Sequence, residues 1–302
     1  MKFKPFSGIG LKVGRACKQV DSLKNEISTF LDGDPYEPTV HFHTMRGERM
    51  CVTKFTIRMA VHKECDPMWG VKIGEIVHNF RCALDHSVHQ LYFFLHDSFP
   101  PEKIRNQFPI FMDPAKFKTN GLTMLQGIGK KAASLIETFQ PFSTGENEKS
   151  PLWHLDKLSN FDKHRTLHLT GGTLEAFNFT FPPLVNPGRI YKRVRERGEF
   201  QHNTTIVEGE FVGRGHPFGD QQVKMKAQCL FDIVFDERTP VVAEWSVTRT
   251  LLDIADRTRA VLEKIGKDVF GIDVNLASPS DSSRPKPLRI TTDIRADHSR
   301  AT

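Results

Sequence analysis

Residues 71–96 read VKIGEIVHNFRCALDHSVHQLYFFLH, and this stretch decides the fold because it predicts one long helix with two different faces. At about 100° per residue, its apolar positions fall on one narrow stripe. A second stripe beside it carries His78, Arg81, Asp85, His89 and His96. Histidines, one arginine and one aspartate, where lysines and glutamates are usual, indicate a partly buried polar seam that hydrogen bonds must satisfy. This helix is therefore the best candidate for a functional site.

A second helix is predicted over 151–165, PLWHLDKLSNFDKHR, with Ser150 as its N-cap and a proline at its first position. Its leucines define a buried side, and Asp162 lies four residues beyond Leu158 on that same side. An ionised carboxylate inside a protein needs a cationic or hydrogen-bond-donating partner. Arg81 and His78 of the first helix are the candidates, and an Arg81–Asp162 pair would hold the two helices in register. A purely architectural role for such a pair stays open.

The rest of the chain is interpreted from its periodicity and turn residues. Apolar residues at helical spacing predict a first helix over 8–32, a helix over 122–139 and a last helix over 244–270. Residues 39–61 alternate between apolar and polar positions and predict a β-hairpin. Between 166 and 240 the chain is aromatic-rich and broken by glycine and proline, which predicts a β-rich segment of about five strands.

These elements predict the fold class α+β. We expect a bundle of about five helices, a β-hairpin near the N-terminus and a β-rich segment, 166–240, inserted before the last helix. The first and last helices both need apolar partners, so we expect one integrated domain over 1–275, with its helical core formed by 8–170 and 244–270. The Ser, Pro and charged residues of 276–302 predict a disordered tail.

The amino-acid composition limits the classes of partner and the cellular compartment that we expect for this protein. The formal charge of +6 and the 42 basic against 36 acidic residues are a mild imbalance, compatible with an anionic partner such as RNA. The five cysteines are scattered and odd in number, with no CxxC spacing, which argues against disulfides and points to the cytoplasm. No apolar run approaches the roughly 18 residues that span a bilayer, so we expect no membrane partner.

Arg81 and His86 form an Arg-x4-His pattern within the helix 71–96. An arginine can hold a phosphate and stabilise developing negative charge, and a histidine can transfer protons near neutral pH. The 2′-hydroxyl of RNA supplies its own nucleophile, so this pair could cleave RNA without a metal. The two residues lie about 140° apart around the helix axis, so RNA would lie across the helix or between the subunits of a homodimer. We take them as the candidate catalytic residues.

A metal site is the competing interpretation. Asp85 and His89 are four residues apart on one helical face, which suits two ligands of one ion. Further ligands would have to come from distant histidines such as His164, and spacing alone does not assemble a complete set. We therefore predict no metal and no cofactor.

The two helices resemble a family of bacterial proteins of about this length for which no activity is established. The resemblance is carried by His78-Asn79-Phe80-Arg81, by Ala83-Leu84-Asp85-His86 and by Asp162-Lys163-His164-Arg165. It covers 8–170, and the β-rich remainder is looser. Where the family carries an aromatic residue, this chain has His89, so an Asp85–His89 metal site would be peculiar to this chain.

More distantly, a helical bundle carrying Arg-x4-His resembles the HEPN group of defence and toxin proteins, many of which are metal-independent ribonucleases acting as dimers. The resemblance implies Arg81 and His86 as the catalytic pair, with Asn79 or Asp85 as a polar helper. The remaining motif residues would form a supporting polar seam, comprising His78, Asp162, Lys163, His164 and Arg165. Two other hypotheses stay open: a non-catalytic helical binding or scaffold protein whose seam is structural, and a metal- or ligand-dependent enzyme.

Overall fold

The computed structural model describes residues 6–180, 189–194, 204–214, 224–280 and 292–295, and its fold is mixed α+β, as predicted. The chain divides into two compact units. The helical unit comprises Met1–Asn25, Pro67–His168 and Glu237–Arg284, and the sheet unit comprises Glu26–Asp66, Leu169–Asp236 and Pro285–Thr302. The single integrated domain that we predicted over 1–275 depends on how these two units join, so it stays a prediction.

Helices dominate the helical unit. In chain order they are α1 (Ser7–Asp32, which contributes to both units), α2 (Met68–His96), α3 (Pro114–Lys116), α4 (Leu122–Met124), α5 (Lys130–Thr138), α6 (Pro141–Thr144), α7 (Pro151–Asp162) and α8 (Val247–Ile265). Phe117–Gly121 and Gly266–Phe270 are π-helical turns, and Asn147–Lys149 is a 3₁₀ turn. The predicted first, second and last helices are therefore confirmed, and 151–165 is helical as far as Asp162.

Helix α2 is the centre of the helical unit. Its predicted apolar stripe is buried from Ile73 to Leu91, while Leu95 near its end is 48% exposed. Burying a side chain of this size stabilises the fold by about 1.5–3 kcal/mol, so each residue of the stripe contributes to the stability of the helical unit. Helices α7 and α8 both contact α2 and each other.

Helices α2 and α7 run in opposite directions and approach closely because two glycines lie on α2. A Cβ atom at Gly70 would overlap the carbonyl oxygen of Leu167, and one at Gly74 would overlap the carboxylate of Asp162. Only glycine leaves room for a neighbouring backbone or side chain at such positions. The two glycines therefore place the end of α7 against the start of α2.

The predicted helix over 122–139 is wrong in its first half. Only Leu122–Met124 and Lys130–Thr138 are α-helical, and the segment between them forms turns. Gly127 and Gly129 have φ values of 85° and 81°, in the left-handed region that interrupts a right-handed helix. The apolar periodicity continues across this break, which is why it suggested one element.

The sheet unit contains two antiparallel sheets. Its strands are β1 (Tyr36–Arg46), β2 (Cys51–Val61), β3 (Leu169–Thr180), β4 (Arg189–Val194), β5 (Thr204–Gly213), β6 (Lys224–Phe235) and β7 (Thr292–Arg295). Their order is β1-β2-β5-β4 in one sheet and β3-β6-β7 in the other. The predicted hairpin is confirmed, with Tyr36 opposite Val61 and Arg46 opposite Cys51. The described part of 166–240 contains four strands, where we expected about five.

The region predicted as a disordered tail contains two ordered pieces among the described residues. Within the helical unit, the Cys17 thiol donates to the carbonyl of Ala277 and the Lys24 ammonium donates to that of Ser280, at 3.3 and 3.0 Å. Leu276 is buried there. Within the sheet unit, β7 pairs with β6. The rest of 276–302 lies outside the described residues.

Replacing Gly70 with alanine should destabilise the protein by about 1–3 kcal/mol, because the added methyl group meets a main-chain carbonyl that cannot move independently. Urea denaturation followed by circular dichroism measures the change. Gly8→Ala is the matched control, since a Cβ atom there meets nothing within 4 Å and alanine favours the helix. Equal loss of stability in both variants would show that close contact with Leu167 is not the cause.

Candidate functional site

The Arg81 guanidinium lies at the centre of a half-buried cluster between α2, α7 and the segment after α2. Its Nη2 donates to the Phe108 carbonyl at 2.7 Å and lies 3.3 Å from Asp85 Oδ1, while its Nη1 lies 3.4 Å from Asp156 Oδ1. Asp85 Oδ1 also accepts the Phe108 N–H at 2.9 Å. Arg81 and Asp85 together therefore fix both main-chain groups of Phe108, whose ring is fully buried.

The predicted Arg81–Asp162 pair is wrong, because Arg81 meets Asp156 instead. The side chains of Arg81 and Asp156 are only 16% and 21% exposed. Burial raises the pKa of Asp156, and the nearby Arg81 charge opposes that rise. The physical reason for the error is register: Gly74 brings the end of α7 close to the start of α2, so Asp162 lies about 10.5 Å of axial rise before Arg81.

Five other residues of the two motifs line a polar cleft in the helical unit. The cleft has a volume of about 720 Å³ and is broadly open to solvent, so it is a groove on the surface and not an enclosed cavity. This volume is within the range of small-molecule sites. Its lining residues come from α1, from α2 and from the end of α7 with the turn after it: Arg15, Gln19, Val71, Gly74, Glu75, His78, Asn79, Asp162, His164, Arg165 and Thr166. Five of the nine motif residues singled out in the sequence thus meet here.

One wall of the cleft is fixed by a hydrogen-bond chain between α1 and α2. Gln19 donates from Nε2 to Glu75 Oε2 at 2.7 Å and accepts at Oε1 from Asn79 Nδ2 at 3.1 Å. This arrangement fixes the orientation of the Gln19 and Asn79 amides, because an amide nitrogen can only donate and an amide oxygen can only accept. Arg15 lies one turn before Gln19 on α1 and extends the same wall.

The opposite wall begins with Asp162, which is half-buried against Gly74. Burial raises the pKa of the Asp162 carboxyl, and the nearby His78 imidazole opposes that rise. His164 and Arg165 follow in the turn after α7, where both main-chain N–H groups donate to the Phe161 carbonyl, at 3.1 and 2.9 Å. This turn holds an exposed imidazole and an exposed guanidinium at the mouth of the cleft, and the Asp162 carboxylate before them is less exposed.

Cys82 lies one turn along α2 from His78, with its Sγ 3.3 Å from the Nε2 atom. A thiol beside an imidazole is a candidate nucleophile when its pKa is low. Here burial raises the pKa of the Cys82 thiol above its usual value of 9.0. The thiol therefore stays protonated near neutral pH and acts as a weak hydrogen-bond donor, so this pair does not supply a nucleophile.

His86 lies outside both the Arg81 cluster and the cleft. It is exposed on α2, and partial burial together with the Lys12 charge lowers its pKa. Lys163 also lies away from the cleft lining, with its Nζ donating to Asn160 Oδ1 at 3.3 Å. The structure thus separates Arg81 from His86, as their angular separation on the helix required.

The two residues of the alternative metal interpretation are engaged elsewhere. Asp85 binds Arg81 and Phe108, and the His89 ring lies 5.7 Å from that of Phe99. Across the part of the chain that the structure describes, no group of three His, Cys, Asp or Glu side chains is placed to hold an ion.

Sequence reasoning missed several residues of these sites, among them Arg15, Gln19, Glu75 and Asp156. Asp156 lay within the quoted helix, between Leu155 and Lys157, and no pattern distinguished it as the partner of Arg81. The Gly70–Gly74 spacing indicates a close helix approach at the start of α2, but it does not say which residue of α7 lies beside Arg81. Arg15 and Gln19 are four residues apart on α1, which places them on one face without indicating which helix that face meets.

No family model matches the chain, and no curated protein or solved structure is similar enough to count as a match. The resemblances drawn from the two motifs therefore stay predictions. Among the described residues, no helix combines the length and the apolar character needed to cross a bilayer.

Replacing Arg81 with alanine should destabilise the protein by about 3–5 kcal/mol, because the Asp85 and Asp156 carboxylates and the Phe108 carbonyl lose their shared cation. Urea denaturation at pH 7 measures the change. Arg105→Ala removes an exposed arginine of the same unit and should change stability by less than about 0.5 kcal/mol. If both variants unfold at the same urea concentration as the unmodified protein, the cluster is not structural.

Proposed function

We propose that this chain is a helical binding protein whose ligand site is the polar cleft, and that the cluster around Arg81 is structural. One observation carries the proposal: the two motifs divide between the two sites. Arg81 and Asp85 are engaged with each other and with their neighbours, whereas His78, Asn79, Asp162, His164 and Arg165 line the open space. A residue already bound by the protein has little to offer a ligand.

The charges at the mouth of the cleft favour an anionic ligand. Arg15 and Arg165 are exposed there, and within the described part of the chain neither forms an ion pair, whereas the exposed carboxylate of Glu75 already accepts a hydrogen bond from Gln19. Guanidinium groups on facing walls can bind one phosphate or carboxylate with several charge-assisted hydrogen bonds. The formal charge of +6 adds a favourable long-range attraction.

The proposal includes the finer fold arrangement and the compartment. We infer that α1, α2, α7 and α8 act as a bundle whose rigid helices hold the cleft open. Contacts of α2 with α7 and α8, and the Gln19–Glu75 hydrogen bond, support this arrangement. The free cysteines at Cys17, Cys51, Cys65 and Cys82 are compatible with a reducing compartment such as the cytoplasm.

Removing either free guanidinium should weaken anion binding. We expect pyrophosphate to bind the protein, and Arg15→Ala and Arg165→Ala each to lower its affinity by about tenfold, the effect of losing one hydrogen bond to a charged group. Isothermal titration calorimetry at low salt measures the affinity. Arg105→Ala is the control, because Arg105 is exposed outside the cleft and should leave binding unchanged. Equal affinity in all four proteins would contradict an anion site in the cleft.

A metal-independent ribonuclease is the second candidate function, and the exposure of His86 favours it. Its lowered pKa means that the imidazole is neutral at pH 7, as a general base must be, and the Lys12 charge nearby could attract a phosphate. Arg81 does not contribute to this reaction in our proposal, because its guanidinium is engaged by Asp85 and Asp156. RNA would then bind the exposed face of α2, either on one chain or between two chains of a homodimer.

The ribonuclease candidate predicts that the purified protein degrades single-stranded RNA in the presence of EDTA. His86→Ala should then lower the rate by about 100-fold or more, the usual contribution of a general base, without changing the melting temperature. The rate should rise as pH increases through a value below 6.5, because the pKa of His86 is lowered and the base must be neutral. His62→Ala, an exposed histidine of the sheet unit, is the control. Unchanged cleavage by His86→Ala would exclude this candidate.

A further inference from the structure

The cleft differs chemically from its mouth to its interior. The exposed guanidinium groups of Arg15 and Arg165 line the mouth together with the His164 imidazole and the Glu75 carboxylate, which accepts from Gln19, while the carboxylate of Asp162 is half-buried against Gly74. A complementary ligand therefore carries a negative group that stays outside and hydrogen-bond donors that point inward. A simple anion such as phosphate satisfies only the first of these conditions.

Asp162 is the least exposed ionisable residue of the cleft lining. Within the described residues its carboxylate forms no hydrogen bond or ion pair, although the His78 imidazole is close enough to interact electrostatically. A half-buried carboxylate gains most from two N–H donors, because both of its oxygens can accept. The inward group of the ligand should accordingly present two adjacent N–H donors on one edge.

Among the common nucleobases, guanine alone presents two adjacent N–H donors on its Watson–Crick edge, at N1 and at the exocyclic N2. Adenine and cytosine each place a ring acceptor beside their amino group, and uracil places its single N–H between two carbonyls. A carboxylate facing either of those acceptors is repelled. The amide of Asn79 lines the same cleft, and its Nδ2 donates to Gln19. Among the described residues no donor binds its carbonyl oxygen, which can therefore accept a hydrogen bond from a ligand.

We propose that the cleft binds a guanine nucleotide, with its phosphate between Arg15 and Arg165 and the edge of its base on Asp162. This inference rests on the proposed function, since it requires the cleft to be an anion site. It adds the identity of the ligand class and a specificity-determining residue. The volume of about 720 Å³ is sufficient for a drug-sized ligand, and the open side leaves the phosphate accessible to solvent.

The decisive comparison uses the unmodified protein and four small probes in calorimetric titrations. Guanosine monophosphate should bind at least about tenfold more tightly than inosine monophosphate, which lacks only the N2 amino group, and than adenosine monophosphate. Ribose 5-phosphate, which has no base, should bind weakly and should lose affinity in Arg165→Ala. Because this comparison needs no substitution at Asp162, it is independent of any folding defect in a variant.

Asp162→Asn then tests the residue itself, because an amide can accept only one of the two N–H bonds. The preference for guanosine over adenosine monophosphate should disappear, while the affinity for ribose 5-phosphate stays the same. Asp273→Asn, an exposed aspartate outside the cleft, is the matched control and should keep the preference.

The outcomes separate the two proposals. If guanosine monophosphate binds no more tightly than ribose 5-phosphate, and both depend on Arg165, the cleft is an anion site and the guanine assignment is overturned. If the preference for guanine persists in Asp162→Asn, the base is read elsewhere and the assignment of Asp162 is overturned. If none of the four probes binds while pyrophosphate does, the guanine assignment alone is overturned; if pyrophosphate does not bind either, the proposed function fails together with this inference.

Discussion

The Arg81 guanidinium is the interaction on which the helical unit depends. It joins α2 to α7 through Asp156, and it joins α2 to the following segment through the Phe108 carbonyl. Asp85, one turn further along α2, shares the guanidinium and accepts the Phe108 N–H. A half-buried arginine with fewer acceptors would cost free energy, so the cluster is stable only when all of these groups are in place. This requirement fixes the alignment of α7 along α2.

The alignment in turn determines where the ligand site can form. With Asp156 held beside Arg81, the end of α7 falls beside Gly74, and Asp162 with the turn after it faces the start of α2. The space between that turn and α1 becomes the cleft. A larger residue at position 74 would push Asp162 away and open a gap, so the glycine is part of the site although it contacts no ligand.

The sequence allowed the elements to be predicted better than their contacts. Helix α2 was predictable because its apolar residues recur at the helical period and all of them from Ile73 to Leu91 are buried. The break before α5 was not predictable, because it depends on the left-handed conformation of two glycines, and these glycines leave the helical period of the apolar residues unchanged. The partner of Arg81 was misassigned because a choice between Asp156 and Asp162 depends on helix register, which neither helix encodes alone. The cleft was foreseen only as a set of unusual residues.

The separation of the two sites also explains why one motif can carry both structure and recognition. An arginine balanced by two carboxylates contributes little positive potential to its surroundings, so a phosphate gains little by approaching Arg81. Arg15 and Arg165 lack such carboxylate partners among the described residues and stay exposed, so their charge remains available. Counting arginines in a motif does not locate an anion site. The location follows from which guanidinium groups the protein has already neutralised, and here the neutralised Arg81 lies further along α2 than the cleft that Arg15 and Arg165 line.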